Sequence, residues 1–308
     1  MSMKIAVMGT GAIGGYLGAR LAEAGAEVGF IARGPHLAAI REHGLKVTSP
    51  NGDMHVNPAT ASDDPADLGP ADVVLFGVKL YDVAGTAAAM RPLLKPDTAV
   101  VTLQNGVDAP GIVDEVLGDG HAMPSVVMIN AVIAGPGVIQ HNALNGLIVG
   151  EPNGGSSDRL RRFADLAGKT GVEITVSPDI RLELWRKFML LASMGGISAT
   201  TRVPLARILD TPETWRLARE AMAEVVAVGN AQGVALSKQD IENTLAFVQT
   251  MPPTWRASLT VDLLQGKKLE VEWLSGTLCR LGAEAGIDTP FHRFVLGMLL
   301  PHAGGNAT

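Results

Sequence analysis

A short apolar run, Ile5-Ala6-Val7-Met8, leads directly into Gly9, Gly11 and Gly14 at the spacing G-x-G-x-x-G, and an Ala- and Leu-rich stretch with helical pattern continues to Glu23. Four consecutive apolar residues before a glycine are the pattern of a strand buried on both faces, as in a parallel sheet. Each glycine has a separate physical role. Gly9 permits the sharp turn, Gly11 lets a pyrophosphate approach the backbone, and Gly14 lets the following helix pack closely on the strand. The helix N-terminus adds free N–H groups and a partial positive charge. Thr10, Ala12 and Ile13 complete the loop, so 9–14 is the expected dinucleotide-binding segment. Glycine is common here, 36 residues in all, and a glycine-rich turn in an ordinary α/β domain is the plain alternative. The position between a strand pattern and a helix pattern, in the first turn of a βαβ unit, favours the nucleotide.

Length, charge and rare residues narrow the class. A chain of 308 residues is long enough for two domains, each with its own core. The net charge of −6 argues against a nucleic-acid partner. A single cysteine, Cys279, excludes an intramolecular disulfide framework and suits a reducing cytoplasm. The seven histidines lack H-x-H or H-E-x-x-H spacing, so no metal site is expected. Apolar runs are broken by Gly or Pro well short of membrane-spanning length, and no cleavage site follows the N-terminal apolar residues. The expectation is a cytoplasmic enzyme with neither membrane nor nucleic-acid partners.

Along the chain, Glu27 to Ala32 reads as the second strand and ends at Arg33-Gly34-Pro35. NAD-preferring sites place an acid at this tip for the ribose 2′-hydroxyl, whereas Arg33 offers a guanidinium suited to a 2′-phosphate. NADP(H) is therefore the expected cofactor, unless Arg33 is only a solvated residue at a helix start. Gly44 to Ala59 reads as a hairpin turning at Asn51-Gly52. Ala71 to Val78 and Thr98 to Leu103 read as buried strands that end at Lys79 and at Gln104-Asn105-Gly106. Polar residues at the C-terminal ends of parallel strands face the ligand crevice, which makes Lys79 and Asn105 candidates for cofactor or substrate contact. The alternatives, a solvated helix start and a simple turn, stay open. Ala122 to Ala134, Val138 to Gln140 and Leu147 to Gly150 read as a strand and hairpin, followed by a helix over Ser157 to Lys169 and a last strand over Val172 to Val176.

Beyond Ser177-Pro178 strand signals vanish. The fold class read from this pattern is a doubly wound, mostly parallel α/β sheet over 1–177 joined to an all-α domain over 178–308. Asp179 is placed to cap a helix that contains Lys187. Lys187 precedes Phe188-Met189-Leu190-Leu191, so burial would ease proton donation. Glu183, four residues earlier, offers instead a routine surface ion pair. Glu270 and Glu272 read as a short polar bend before a helix, and Ala303 to Thr308 as a frayed end.

Taken together, the chain resembles the ketopantoate reductase (2-dehydropantoate 2-reductase) family. The motifs carrying the likeness are Gly9-x-Gly11-x-x-Gly14 with Arg33, Val78-Lys79, Gln104-Asn105-Gly106, Glu183-Leu184-Trp185-Arg186-Lys187-Phe188, and Ala257-Ser258-Leu259 leading to Asp262 and Glu270. The resemblance implies an NADP-binding Rossmann-type domain and a helical domain, with the active site in the cleft between them. It implies NADPH-dependent reduction of a small 2-oxo acid with Lys187 as general acid. Lys79 and Asn105 would line the nicotinamide and substrate side. Ser258 and Glu270 would hold the carboxylate and hydroxyl ends of the substrate. It also implies a homodimer formed through the helical domain. Two asparagines usual in the family, four and eight residues after the lysine, are Leu191 and Gly195 here, and a third is Ser275. Those replacements favour an alternative, a family member that reduces a less polar oxo compound. A non-catalytic NADP(H) sensor is the remaining reading.

Overall fold

A computed structural model describes residues 2–306. The chain forms two compact units. One runs up to Asn105 and resumes over Ala109–Glu183, and the other takes Gly106–Asp108 and everything from Leu184 onward.

The first unit is built on strands β1 (Lys4–Met8), β2 (Glu27–Ile31), β3 (Leu45–Thr48), β4 (Met54–Val56), β5 (Thr60–Ser62), β6 (Val73–Phe76), β7 (Ala99–Thr102), β8 (Ala122–Gly135), β9 (Val138–Val149) and β10 (Glu173–Val176). Its helices are α1 (Ala12–Glu23), α2 (Gly34–His43), α3 (Val83–Ala89), α4 (Ala109–Leu117) and α5 (Asp158–Ala167). All ten strands form one sheet in the order β4-β3-β9-β8-β7-β6-β1-β2-β5, with β10 on β9. Pairing is parallel except at β3–β4 and β8–β9. The long β8 joins the two halves: it runs parallel to β7 over its first residues and antiparallel to β9 from Ser125 onward.

The sheet curls around α1, which touches β1, β2, β3, β4, β6, β8 and β9. Every residue from Gly14 to Leu21 is consequently buried. A surrounded helix needs small residues, and a Cβ on Gly18 would meet Phe30 and Val7 at 2.7 Å. Arg20 is 5% exposed, and its guanidinium donates to the carbonyls of Asn51 and Gly52 at 3.0 and 3.2 Å. The β3–β4 turn thus satisfies a charge that the helix buries.

The hairpin expected over Gly44 to Ala59 is present as β3 and β4, with Gly52 at φ +101° in its turn. Expected strand pieces Val138–Gln140 and Leu147–Gly150 are one strand of 12 residues, β9. Asn145-Gly146 is therefore not a turn. The polar residues there are paired on both edges, Gly146 with Met128 and Glu173, so the ladder continues through a sequence that looks like a break.

The second unit comprises α6 (Ile180–Thr201), α7 (Leu205–Leu209), α8 (Pro212–Ala231), α9 (Lys238–Gln249), α10 (Ser258–Leu264), α11 (Ser275–Glu284) and α12 (Pro290–Leu299). Asp179 caps α6 as expected, its carboxylate accepting from Leu182 N–H at 3.0 Å. The units part within the first turns of α6, at Glu183–Leu184. Gly106–Asp108 belongs with the helices because Asp108 accepts hydrogen bonds from Thr277 and, at 2.9 Å, from Arg280.

The expected frayed end is corrected over 303–306. Leu269 N–H donates to Ala303 at 2.9 Å, and Asn306 N–H donates to Gly266 at 2.8 Å. This backbone is held, as buried or packed termini must be. Ala307 and Thr308 lie outside the described residues. Among the described residues no helix is long and apolar enough to cross a membrane.

His292 lies wholly buried between α8 and α11, its ring reaching the Ala221 carbonyl at 3.2 Å and the Ser275 hydroxyl at 3.3 Å. A carbonyl only accepts, so Nε2 carries the proton and Nδ1 accepts from Ser275. Burial lowers its pKa from 6.5 to about 4. The unfolded chain takes up a proton near pH 6.5 that the folded chain refuses until about 4. The stability from the neutral ring is complete above the upper value and is lost as pH falls through the lower. Linkage sets the loss at about 3 kcal/mol. Burial raises the pKa of Glu224, whose carboxylate caps α12, and this opposes part of that loss. Denaturant unfolding at pH 7 and pH 4.5 should show the acid sensitivity, and His292→Gln should flatten it.

Candidate active site

Strands β7, β6, β1 and β2 are neighbours, parallel and in register, so their C-terminal ends share one edge. Along that edge stand Asn105 after β7, Lys79 after β6, the 9–14 loop after β1 and Arg33 after β2. Three strand spacings separate the ends of the row, about 14 Å. That span matches a dinucleotide with its phosphates at the centre. Arg33 is exposed at the N-cap of α2, Lys79 is exposed, and Asn105 is half-buried.

The glycines divide by cause. Gly9 has φ +97°, and a Cβ on Gly14 would sit 2.4 Å from the Gly9 carbonyl oxygen. Both are required by the protein's own backbone. A Cβ on Gly11 would have nothing nearer than the Gly77 oxygen at 3.9 Å. The protein's own packing therefore does not require glycine at this position. Gly11 is also the N-cap of α1 and supplies no side-chain acceptor, so the first N–H groups of that helix face the same space. Thr10 anchors the loop to β2, with both its N–H and its hydroxyl donating to the Ile31 carbonyl at 2.9 Å.

Two neighbours escaped sequence reasoning. His36, in the first turn of α2, accepts from Gly137 N–H through Nδ1 at 3.0 Å, which leaves Nε2 as the N–H side facing the loop at Thr10. It fixes the helix that carries Arg33. Gln104 is 8% exposed and donates to the Phe76 carbonyl at 3.0 Å, while its Oε1 is buried with no hydrogen-bond partner. A buried acceptor at a strand end, beside Asn105, suits an amide donor on a ligand. Neither role could be read from the sequence, because both depend on contacts between residues far apart in the chain.

In the helical unit, Lys187 and Glu270 come together. Lys187 is partly accessible, but the protein packed around its side chain desolvates the ammonium. Desolvation lowers its pKa from 10.5 to about 8, and the charge of Glu270 acts in the opposite sense. On α6, Lys187 lies between buried Leu184 and Phe188. Glu270 lies in the expected bend between α10 and α11, but it is only 9% exposed, between buried Leu269 and Val271. Glu272 remains exposed.

Ser258 opens α10 and is exposed. The start of that helix is tied to α6 by Ser198, which accepts from Thr260 Oγ1 at 2.7 Å. Ser275 is turned toward His292 and is 1% exposed, so it is spent on the helical core. Among the described residues no group of His, Cys, Asp and Glu could hold a metal ion.

Residues 5–154 match the family described as ketopantoate reductase PanE/ApbA, and residues 179–302 match its C-terminal counterpart. A 2-dehydropantoate 2-reductase of Mesorhizobium japonicum is 31% identical over 318 residues, covering 96% of this chain and 97% of its own. The chain belongs to the ketopantoate reductase family. A solved ketopantoate reductase of the PanE/ApbA family from Ralstonia eutropha superposes with a TM-score of 0.90 at 32% identity, over 98% of both chains. The fold is also shared with a D-mandelate dehydrogenase solved with NADH and anilino(oxo)acetate, at a TM-score of 0.89, 21% identity and 98% coverage of both chains. Membership makes the protein an oxidoreductase of this family, with the Rossmann-type sheet and helical region of its relatives.

Proposed function

We propose that this protein reduces a 2-oxo acid to the 2-hydroxy acid with NADPH, ketopantoate being the substrate its relatives' names state. The observation that carries this reading is the pairing of Lys187 with Glu270, a desolvated ammonium with a pKa of about 8. Such a group is mostly protonated at neutral pH yet gives up its proton readily. Gly11, the uncapped start of α1 and the buried oxygen of Gln104 fit a nicotinamide dinucleotide.

When bound, the cofactor supplies a hydride to the carbonyl carbon. Lys187 donates a hydrogen bond to the carbonyl oxygen, stabilises the alkoxide as the C=O electron pair moves onto oxygen, and delivers the proton. A proton from solvent then restores the ammonium. Glu270 keeps the ammonium charged in its desolvated setting and accepts from a substrate hydroxyl. Ser258 donates to the substrate carboxylate. Lys79 adds positive potential on the nicotinamide side, where Asn105 orients the ring.

Arg33 supports NADPH over NADH. A bidentate guanidinium–phosphate contact contributes about 1.5–3 kcal/mol, so Arg33→Ala should raise the KM for NADPH about 10- to 100-fold and leave that for NADH unchanged. Initial rates of cofactor oxidation with each nucleotide measure this. Equal use of both by the unaltered enzyme would remove the case for NADPH. The alternative of a non-catalytic sensor is disfavoured by Lys187, since a desolvated ammonium is a cost that binding alone does not require.

A further inference from the structure

Lys187, Leu191 and Gly195 follow one another at four-residue steps, each turned about 40° from the last, so they share one face of α6. No side chain on this stripe beyond the lysine can hydrogen-bond. The sharpest feature is Gly195. Its neighbour Gly196 has a plain packing reason, because a Cβ there would meet Val295 at 3.0 Å. Gly195 has none. A Cβ there would lie 3.9 Å from Ala257 and 4.0 Å from Leu259, ordinary contact distances, and its φ is not positive. Glycine inside a helix is disfavoured relative to alanine, yet this buried position keeps one where the fold would accept a methyl. The space it leaves is walled by Ala257 and Leu259. Those two flank Ser258 and are held to α6 by the Ser198–Thr260 hydrogen bond. A substrate whose carboxylate is held at Ser258 and whose carbonyl is held at Lys187 would therefore lay its substituent along Leu191 and Gly195.

We infer that the substrate is a 2-oxo acid with an apolar branched or aromatic substituent next to the carbonyl, and that Leu191 and Gly195 select it. This rests on Lys187 being the acid in the proposed reduction. A hydroxylated substituent would lose its water partners against Leu191 and gain no donor or acceptor in return, and such a mismatch costs up to about a hundredfold in kcat/KM. Each added methylene that enters the recess is instead favoured by up to about fourfold.

The test is kcat/KM with NADPH across pyruvate, 2-oxoisovalerate, 2-oxoisocaproate, phenylglyoxylate and ketopantoate. The expected result is a rise with apolar size, with the best apolar acid at least tenfold ahead of ketopantoate. Gly195→Ala should unfold at the same or a higher temperature. It should cut kcat/KM most for the largest acid, about tenfold, and least for pyruvate. Leu191→Asn should move preference toward ketopantoate. Ketopantoate ahead of every apolar acid in the unaltered enzyme, or a Gly195→Ala loss equal for all sizes, overturns the selection while leaving the reduction intact. If none of the acids consumes NADPH, the proposed reduction falls and the selection falls with it.

Discussion

Replacing Lys187 with alanine is expected to lower kcat about 10³-fold and to leave the affinity for NADPH within about twofold. General acid catalysis contributes about 10²–10⁴, and the same ammonium also stabilises the developing alkoxide. The contacts proposed for the nucleotide lie along the sheet edge, on residues of the other compact unit, so NADPH binding should not register the change. Stopped-flow turnover with calorimetric NADPH titration separates the two quantities. An equal loss of both, or of neither, would mark Lys187 as structural. The pH profile adds a second readout. Reduction requires the protonated amine, so kcat should fall as pH rises through about 8. Glu270 favours the charged form, and Glu270→Gln should therefore move this alkaline limb toward acid, with a lower plateau where the substrate contact is also lost.

The second large effect is expected in the glycine loop, where two substitutions of the same size should fail differently. Gly14→Ala forces a methyl to within 2.4 Å of the Gly9 carbonyl, and its second neighbour, Val7 Cγ1, is at 3.1 Å. Backbone cannot yield there cheaply, so the loop and the β1–α1 packing must shift, at about 1–3 kcal/mol. Thermal unfolding should register that loss. Gly11→Ala meets no protein atom nearer than 3.9 Å and should leave the unfolding temperature unchanged. Its methyl occupies the space proposed for the pyrophosphate, so NADPH affinity should fall at least tenfold. Matched stability and binding measurements on both variants decide whether Gly11 serves a ligand. A Gly11→Ala protein that binds NADPH normally would move the nucleotide off this loop.

Much of this was legible in the sequence because it depends on neighbours along the chain. The strand–glycine–helix order of 5–23, the arginine at the tip of the second strand, the polar ends at Lys79 and Asn105 and the Asp179 cap are all local patterns. Parallel strands with short returns bring such ends to one edge, so the row from Asn105 to Arg33 followed from strand order alone. Where the sequence misled, the missing information was a distant contact. Asn145-Gly146 has turn chemistry but sits between two strands that continue its ladder. Residues 303–306 look like part of a loose end but pair with the backbone at Gly266 and Leu269.

The pattern of residues by itself determined the two-part α/β and all-helical plan, the place of the glycine loop and the motifs of the family, since each is written in periodicity and spacing. Only the tertiary structure decided that the Lys187 ammonium is desolvated and feels the charge of Glu270, that Ser275 is spent on His292, and that Gly195 leaves room while Gly196 does not. Those outcomes turn on burial and on which side chains from distant segments meet, and spacing along a chain encodes neither.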